Sequence, residues 1–312
     1  MNIVGQPWII HLMSDLFSVY ILGFIFVRRN EIIRSTQYVS RVYAVIISIA
    51  VLLFALNTFR LIYEIQTNPE VTNSDWIDSA TGYANFVGQS LIIVYLLTKK
   101  IVVKRQPSPG KVLIIGAHPD DIEIAAGASI AKMHDCGYQI YGLILSYGER
   151  GGIPQKRLGE ARDGARFLEV DQIQVHNFSD TLMMNETAEI VDVIENIVIT
   201  YSPDLIFTHS RHDIHQDHQI VHDCTLRALR NYRGTILCYE SPSVTPEFLP
   251  VYFLDVYGYV DIKIYAIEKH WGQHKKPYMN PDLIRSKLAF RGNQAKVTYA
   301  EGFEVVRMVS KI

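Results

Sequence analysis

The chain has 312 residues, 48% of them hydrophobic and 20% charged, with a formal net charge of −2. That length exceeds one small domain, and so high an apolar fraction asks whether part of the chain sits in lipid. The near-neutral balance, with no basic run in the soluble part, argues against a nucleic-acid partner, and Cys136, Cys224 and Cys238 form no C-x-x-C pair, so neither a disulfide framework nor a thiolate zinc site is indicated.

Three apolar segments come first, at 8–27, 42–65 and 76–98, the last interrupted by Asn85, Gln89 and Ser90. About 20 apolar residues match a hydrocarbon core of ~30 Å, so residues 1–105 read as an all-α membrane region with about three transmembrane helices. Arg28, Arg29, Arg34 and Arg41 separate the first two segments, and Lys99, Lys100, Lys104 and Arg105 follow the third. Residues 66–82 have no Lys or Arg and carry Glu70, Asp75 and Asp78. By the positive-inside rule the amino terminus is outside and everything after residue 98 is cytoplasmic, as expected of an integral plasma-membrane protein. A secretory signal peptide fits poorly, because no basic region precedes Trp8 and the run ends in Arg28-Arg29. His11 and Asp15 share a helix face near its outer end and read as an interfacial, solvated pair.

Gln106 to Gly110 is a breaker-rich linker, and the pattern then changes to that of a soluble α/β domain over 111–312. Apolar runs at 112–116, 139–146, 172–176 and 204–208 read as strands, and the stretches 122–136, 155–168, 186–201 and 216–231 read as helices. This alternation predicts a Rossmann-like parallel sheet with helices on both faces. The tail from Thr235 mixes short strands with helices near 262–273 and 281–291.

Two polar clusters follow predicted strands: Ala117-His118-Pro119-Asp120-Asp121 and His212-Asp213-Ile214-His215-Gln216-Asp217-His218. The carboxyl ends of strands are where an open α/β sheet keeps its chemistry. A catalytic divalent metal takes three His or carboxylate ligands and leaves a position open, which His118, Asp121 and His218 would supply. Such thiolate-free ligands suit Zn2+ but also Fe2+ or another first-row ion. Asp120 then remains free as general base for an attacking water. His215, one turn before His218, would stabilise an oxyanion or protonate a leaving group, and Asp217 would bond to the His215 imidazole and raise its pKa. Taken singly, His-Pro-Asp-Asp also describes a turn with a helix N-cap, and histidines spaced by three can be a solvated helix start.

At these residues the chain resembles the PIG-L or LmbE-like family of metal-dependent N-deacetylases. The resemblance is carried by AHPDDIEIAAG at 117–127 and HDIHQDH at 212–218. Further matches are Gly148-Glu149-Arg150-Gly151 with Arg157 and Glu160, His270 to Gln273, and Arg291-Gly292 with Tyr299 to Phe303. It implies His118, Asp121 and His218 as zinc ligands, Asp120 as base, His215 at the tetrahedral intermediate and Asp217 as its carboxylate partner. It also implies a substrate contact for Arg157, for which a salt-bridged helix surface is an equal account, and either an outer-sphere or a helix-start role for Glu123.

The expected activity is hydrolysis of an N-acetyl group from an N-acetylglucosamine-type sugar, lipid-linked if the membrane segments serve to meet the substrate. The same chemistry on a soluble glycoside or thiol precursor is one alternative. A membrane sensor or scaffold whose pseudo-enzyme domain binds ligand without turnover is the other, and the intact Asp120 speaks against it.

Overall fold

The computed structural model describes residues 7–36, 39–67, 83–92, 94 and 109–309. The expected linker at 106–108, the acidic stretch 68–82, the basic stretch 99–105 and the side chain of His11 lie outside the described residues. The chain divides into two compact units, Met1–Val102 and Val103–Ile312.

In the first unit α1 (Pro7–Val27), α2 (Arg29–Ser35) and α3 (Val39–Thr67) are followed by a helical segment at 83–92. Among the described residues, one helical stretch, Val42–Arg60, is long and apolar enough to cross a membrane, where the sequence predicts three. Within α1 the apolar helical stretch Leu12–Val27 is shorter than that. Its interior combines an apolar cluster of Ile21, Ile25, Val42, Ile46 and Ile92 with buried polar side chains, under a largely apolar exterior. Asp15 is buried and accepts hydrogen bonds from Asn57 Nδ2 at 2.8 Å and Thr58 Oγ1 at 3.2 Å, so it is not the solvated residue expected. Ser18, Asn85 and Gln89 are buried too, while Met13, Leu16, Phe26, Leu52 and Phe59 face outward.

The second unit is built on a seven-stranded sheet of order β3-β2-β1-β4-β5-β7-β6. Its strands are β1 (Lys111–Gly116), β2 (Gln139–Ile144), β3 (Gln172–Val175), β4 (Leu205–His209), β5 (Thr235–Tyr239), β6 (Tyr252–Asp255) and β7 (Ala300–Arg307). The first five are parallel. β1 is central and almost wholly buried, which is why it reads as an unbroken apolar run. The connecting helices are α4 (Asp121–Asp135), α5 (Pro154–Phe167), α6 (Thr187–Tyr201) and α7 (Gln216–Ala228). Leu113 and Ile115 pack with Ile190 and Ile194 of α6 and Val221 of α7 on one face. On β2, Gly142 lies against Ile122 of α4. After β3 the chain returns to the other side of β1, so β1 and β4 flank the point where strand order reverses.

The expectation of a parallel sheet is corrected at its far edge, where β7 pairs antiparallel with both β5 and β6. Antiparallel neighbours need no crossover helix. α8 (Val260–Ile267) and α9 (Pro281–Ala295) lie between β6 and β7 in sequence. A second departure lies within α4, which breaks at Ala126 (φ −134°, ψ 20°). The groups freed there are satisfied by side chains. Glu301 accepts from the Ala128 and Ser129 N–H groups at 3.2 and 2.7 Å, and Lys263 donates to the Ala125 carbonyl at 3.3 Å.

Gly292 on α9 is required by close approach to the start of β7. A Cβ there would lie 2.6 Å from the Thr298 carbonyl oxygen and 2.8 Å from Tyr299 Cα, atoms that cannot swing aside. Gly292→Ala is expected to destabilise the domain by about 1–3 kcal/mol, since overpacking of that size outweighs the ~1 kcal/mol gained in helix propensity. A thermal-unfolding midpoint unchanged or raised would contradict this.

Candidate metal centre and active site

Two loops bring the cluster together. β1 ends at Gly116, the Ala117 N–H donates to His209 Nε2 at 3.1 Å, and the turn through Pro119 opens α4 at Asp121. The Asp121 carboxylate accepts the His118 N–H at 2.7 Å, which fixes the turn. The neighbouring strand β4 ends at His209, and its loop enters α7 with His215 as N-cap.

Each imidazole is oriented by a carboxylate behind it. His218 Nδ1 is 2.8 Å from Asp213 Oδ2, and His118 Nε2 is 3.1 Å from Asp217 Oδ2. The remaining nitrogens, His118 Nδ1 and His218 Nε2, face one another at 3.3 Å. The Asp121 carboxylate completes the triangle, 3.6 Å from His118 Nδ1 and 3.4 Å from His218 Nε2. Donors around one tetrahedral ion with bonds of ~2.0–2.1 Å sit about 3.3–3.5 Å apart. The set therefore fits a single small divalent ion, and the carboxylates on the outer nitrogens give the usual support of metal-binding histidines.

The electrostatics call for positive charge at this point. Burial opposes protonation of His118, but Asp121, Asp180 and Asp217 raise its pKa well above the usual value. Burial opposes protonation of His218 too, and Asp121 and Asp213 bring it to about 9. Burial works against ionisation of Asp121, yet the charges of His218 and His209 hold it well below the ordinary carboxylate range. Asp213 is likewise shifted far down against its burial, chiefly by His218 and Ser241.

Asp120 lies beside the cluster and in none of the donor groups within it. Its Oδ1 accepts from Arg157 Nη2 at 2.9 Å, and Arg157 Nη1 donates to the Gly148 carbonyl at 3.0 Å. Arg157 is only 4% exposed, which removes the helix-surface account. It lines the cavity and orients Asp120.

The expected partnership of Asp217 with His215 is corrected. The Asp217 carboxylate takes His118 and the Thr181 N–H, while its backbone N–H donates to His215 Nδ1 at 3.3 Å. That bond leaves the proton of a neutral His215 on Nε2. Its pKa falls instead of rising, first through burial and then through the charges of His218 and His118.

Three donors escaped the sequence reading. Asp180 Oδ1, in the loop after β3, is 3.3 Å from His118 Nε2. His209 Nε2 is 3.2 Å from Asp121 Oδ2, and burial lowers its pKa to about 4. Asp213 stood inside the second motif without a role. All three obey the strand-end rule that found the others. Three overlapping donor groups result: His118, His215 and His218; Asp121, His209 and His218; and His118, Asp180 and Asp217. His118, Asp121, Asp180, His215 and His218 of these groups line a cavity of about 370 Å³, together with Asp120, Arg157, Lys276 and Tyr278.

The other expected motifs buttress this centre. Glu123 is buried 3.3 Å from His270 Nε2, Glu160 accepts the Gly272 N–H at 2.7 Å, and Gln273 donates to the Gly151 carbonyl at 2.9 Å.

Comparison with known proteins gives a match to the family model for GlcNAc-PI de-N-acetylase, PIG-L, over residues 113–229. The Escherichia coli K12 protein described as the uncharacterized deacetylase YaiS is 33% identical over 167 residues, 51% of this chain and 89% of the relative. The diacetylchitobiose deacetylase of Thermococcus kodakarensis is 26% identical over 221 residues, 63% of this chain and 83% of the relative. Among solved structures, the N,N'-diacetylchitobiose deacetylase of Pyrococcus horikoshii superposes with a TM-score of 0.56 at 23% identity, covering 63% of this chain and 84% of that one. The 4-carboxy-2-hydroxymuconate hydratase of Pseudomonas putida has the same TM-score of 0.56 at 20% identity, covering 65% and 99%. The fold therefore hosts more than one reaction, and the chemistry has to be argued from the site.

Proposed function

Because the chain belongs to the PIG-L family, we propose that its second unit is a metal-dependent N-deacetylase that removes the acetyl group from an N-acetylglucosamine-type sugar. The observation that carries this reading is the convergence of His118 Nδ1, His218 Nε2 and Asp121 at 3.3–3.6 Å, with the unligated carboxylate of Asp120 beside them. A divalent ion held by these three would polarise the amide carbonyl and acidify the attacking water. Zinc fits the donor set, and Fe2+ fits it as well.

The residues of the chain do the rest. Asp120, held by Arg157, takes the proton of the attacking water and returns it to the departing sugar nitrogen. His215 presents Nε2–H to the oxygen on which negative charge develops. Asp217 and Asp213 keep His118 and His218 in the tautomers that leave their inner nitrogens free. Arg157, already turned into the cavity, is the proposed contact for a polar group of the substrate.

Our reading of the first unit is that it anchors the enzyme in the plasma membrane, with the catalytic unit on the cytoplasmic side, so that the sugar meets it on a lipid carrier. The apolar stretch Val42–Arg60 and the burial of polar Asp15, Ser18 and Gln89 under an apolar exterior support that reading. A soluble amino sugar is the alternative substrate.

The deciding assay is acetate release by the full-length, zinc-loaded protein from a lipid-linked N-acetylhexosamine and from the free sugar. Faster release from the lipid-linked substrate is expected. Equal rates would leave the soluble substrate, and no release from any amino sugar would overturn the enzyme reading. A reporter fused at residue 105 should report from the cytoplasmic side.

A further inference from the structure

The strap at 268–280, between α8 and α9, consists of two short 3-10 turns, Trp271–Gln273 and Pro277–Met279, with loop around them. Its far half supplies Lys276 and Tyr278 to the wall of the metal cavity. That half has little to hold it in place. Of residues 274–280 only Met279 is buried, and the backbone bonds there are local, from the Lys276 N–H to the Gln273 carbonyl at 2.9 Å and from the Met279 N–H to the Lys276 carbonyl at 3.0 Å.

The near half carries the ties to the rest of the domain. The Gly272 N–H donates to Glu160 of α5 at an exposed position, where water competes, and Gln273 Nε2 donates to the Gly151 carbonyl at 2.9 Å. The fully buried tie is at the root. His270 Nε2 stands 3.3 Å from Glu123 Oε2 on α4, and both residues are 1% exposed. A buried carboxylate is costly without a partner, so each side chain of this pair holds the other. Gly164 of α5 closes over them: a Cβ there would overlap Glu123 Oε1 and come within 3.1 Å of His270 Nε2.

We infer that His270 is a positioning residue: paired with Glu123 it clamps the root of the strap to α4, and so fixes Lys276 and Tyr278 as the wall against which the sugar binds. Resting on the deacetylase reading, this makes the pair a determinant of how tightly the sugar is held. The proposed ion ligands and Asp120 are set by other contacts, the carboxylates behind the two histidines and the Arg157 guanidinium.

Hydrogen–deuterium exchange on the full chain in neutral detergent reads the clamp without turnover. In His270→Ala the amides of residues 271–280 should exchange about 10-fold faster or more, while those around His118 and His218 keep native protection. Acetate release by the same zinc-loaded variant should show KM raised about 10-fold, the scale of one hydrogen bond to a charged group, at a kcat within about 2-fold of native. A merely structural role would lower kcat with the active fraction and leave KM alone. His270→Gln, which keeps a donor beside Glu123, should stay near native in both measurements. Gly164→Ala keeps both partners and wedges them apart, so it should reproduce the faster exchange and the raised KM even where His270→Ala does not fold. Native exchange in the strap, or a native KM despite faster exchange, would overturn the assignment. Faster strap exchange in a protein that releases no acetate from any amino sugar would uphold the clamp and overturn the deacetylase reading instead.

Discussion

Asp120→Asn is expected to lower the turnover of acetate release by roughly 10²–10⁴-fold, the contribution of a positioned general base. The amide has the shape of the carboxylate and can still accept the 2.9 Å hydrogen bond from Arg157, so fold and cavity should persist. What disappears is the ability to take a proton from water and deliver it to the leaving nitrogen. Ion content should not change, because Asp120 belongs to none of the donor groups. Loss confined to turnover, with ion content and circular dichroism intact, is the expected result. Activity within a few-fold of native would remove Asp120 from the mechanism.

The second large effect is expected from His218→Ala. Its Nε2 is one of three converging donors, and its ring is held in place by Asp213 on the opposite nitrogen. Loss of an outer partner such as Asp213 typically costs 10–100-fold in metal affinity, so His218→Ala should exceed about 100-fold and reduce acetate release to background. Elemental analysis after dialysis measures the ion directly. Chelation of the native protein should abolish activity and added zinc should restore it. The sign of the pH dependence follows from His218, whose pKa is raised to about 9 without an ion. Ion and proton compete for the same nitrogen, so ion uptake at neutral pH releases protons, and affinity falls as pH drops below about 9. Retained stoichiometric ion in His218→Ala would refute the ligand set.

What the sequence disclosed followed from local pattern. The β1–α4 and β4–α7 units were legible because a buried apolar run, a breaker and an amphipathic stretch sit in order, and the polar residues at their junctions stood out. Relations across the fold were not legible. The Asp120–Arg157 pair joins residues 37 apart, and the Asp217–His118 bond joins residues 99 apart. Asp180 follows a four-residue strand of mixed burial, whose signal is too weak to mark a site. His209 stood one residue beyond the predicted strand 204–208, with no motif around it, and in the fold it ends β4. β6 is a four-residue, half-buried edge, so nothing in its pattern announced an antiparallel partner. Hydropathy counted apolar residues in the first unit but did not say that Asp15 would turn inward to Asn57 and Thr58.

The reversal of strand order between β1 and β4 has a consequence for folding. His118 and His218 lie 100 residues apart, one in the half of the sheet that contains β2 and β3 and the other in the half that contains β5. The proposed donors do not exist as a set until those halves have joined along the β1–β4 seam. An ion that binds only the closed form shifts the folding equilibrium towards it, by about 2.7 kcal/mol when free ion stands at 100 times its dissociation constant. The catalytic ion would thus be a latch as well, and ion-starved protein should part first along the seam where its chemistry takes place.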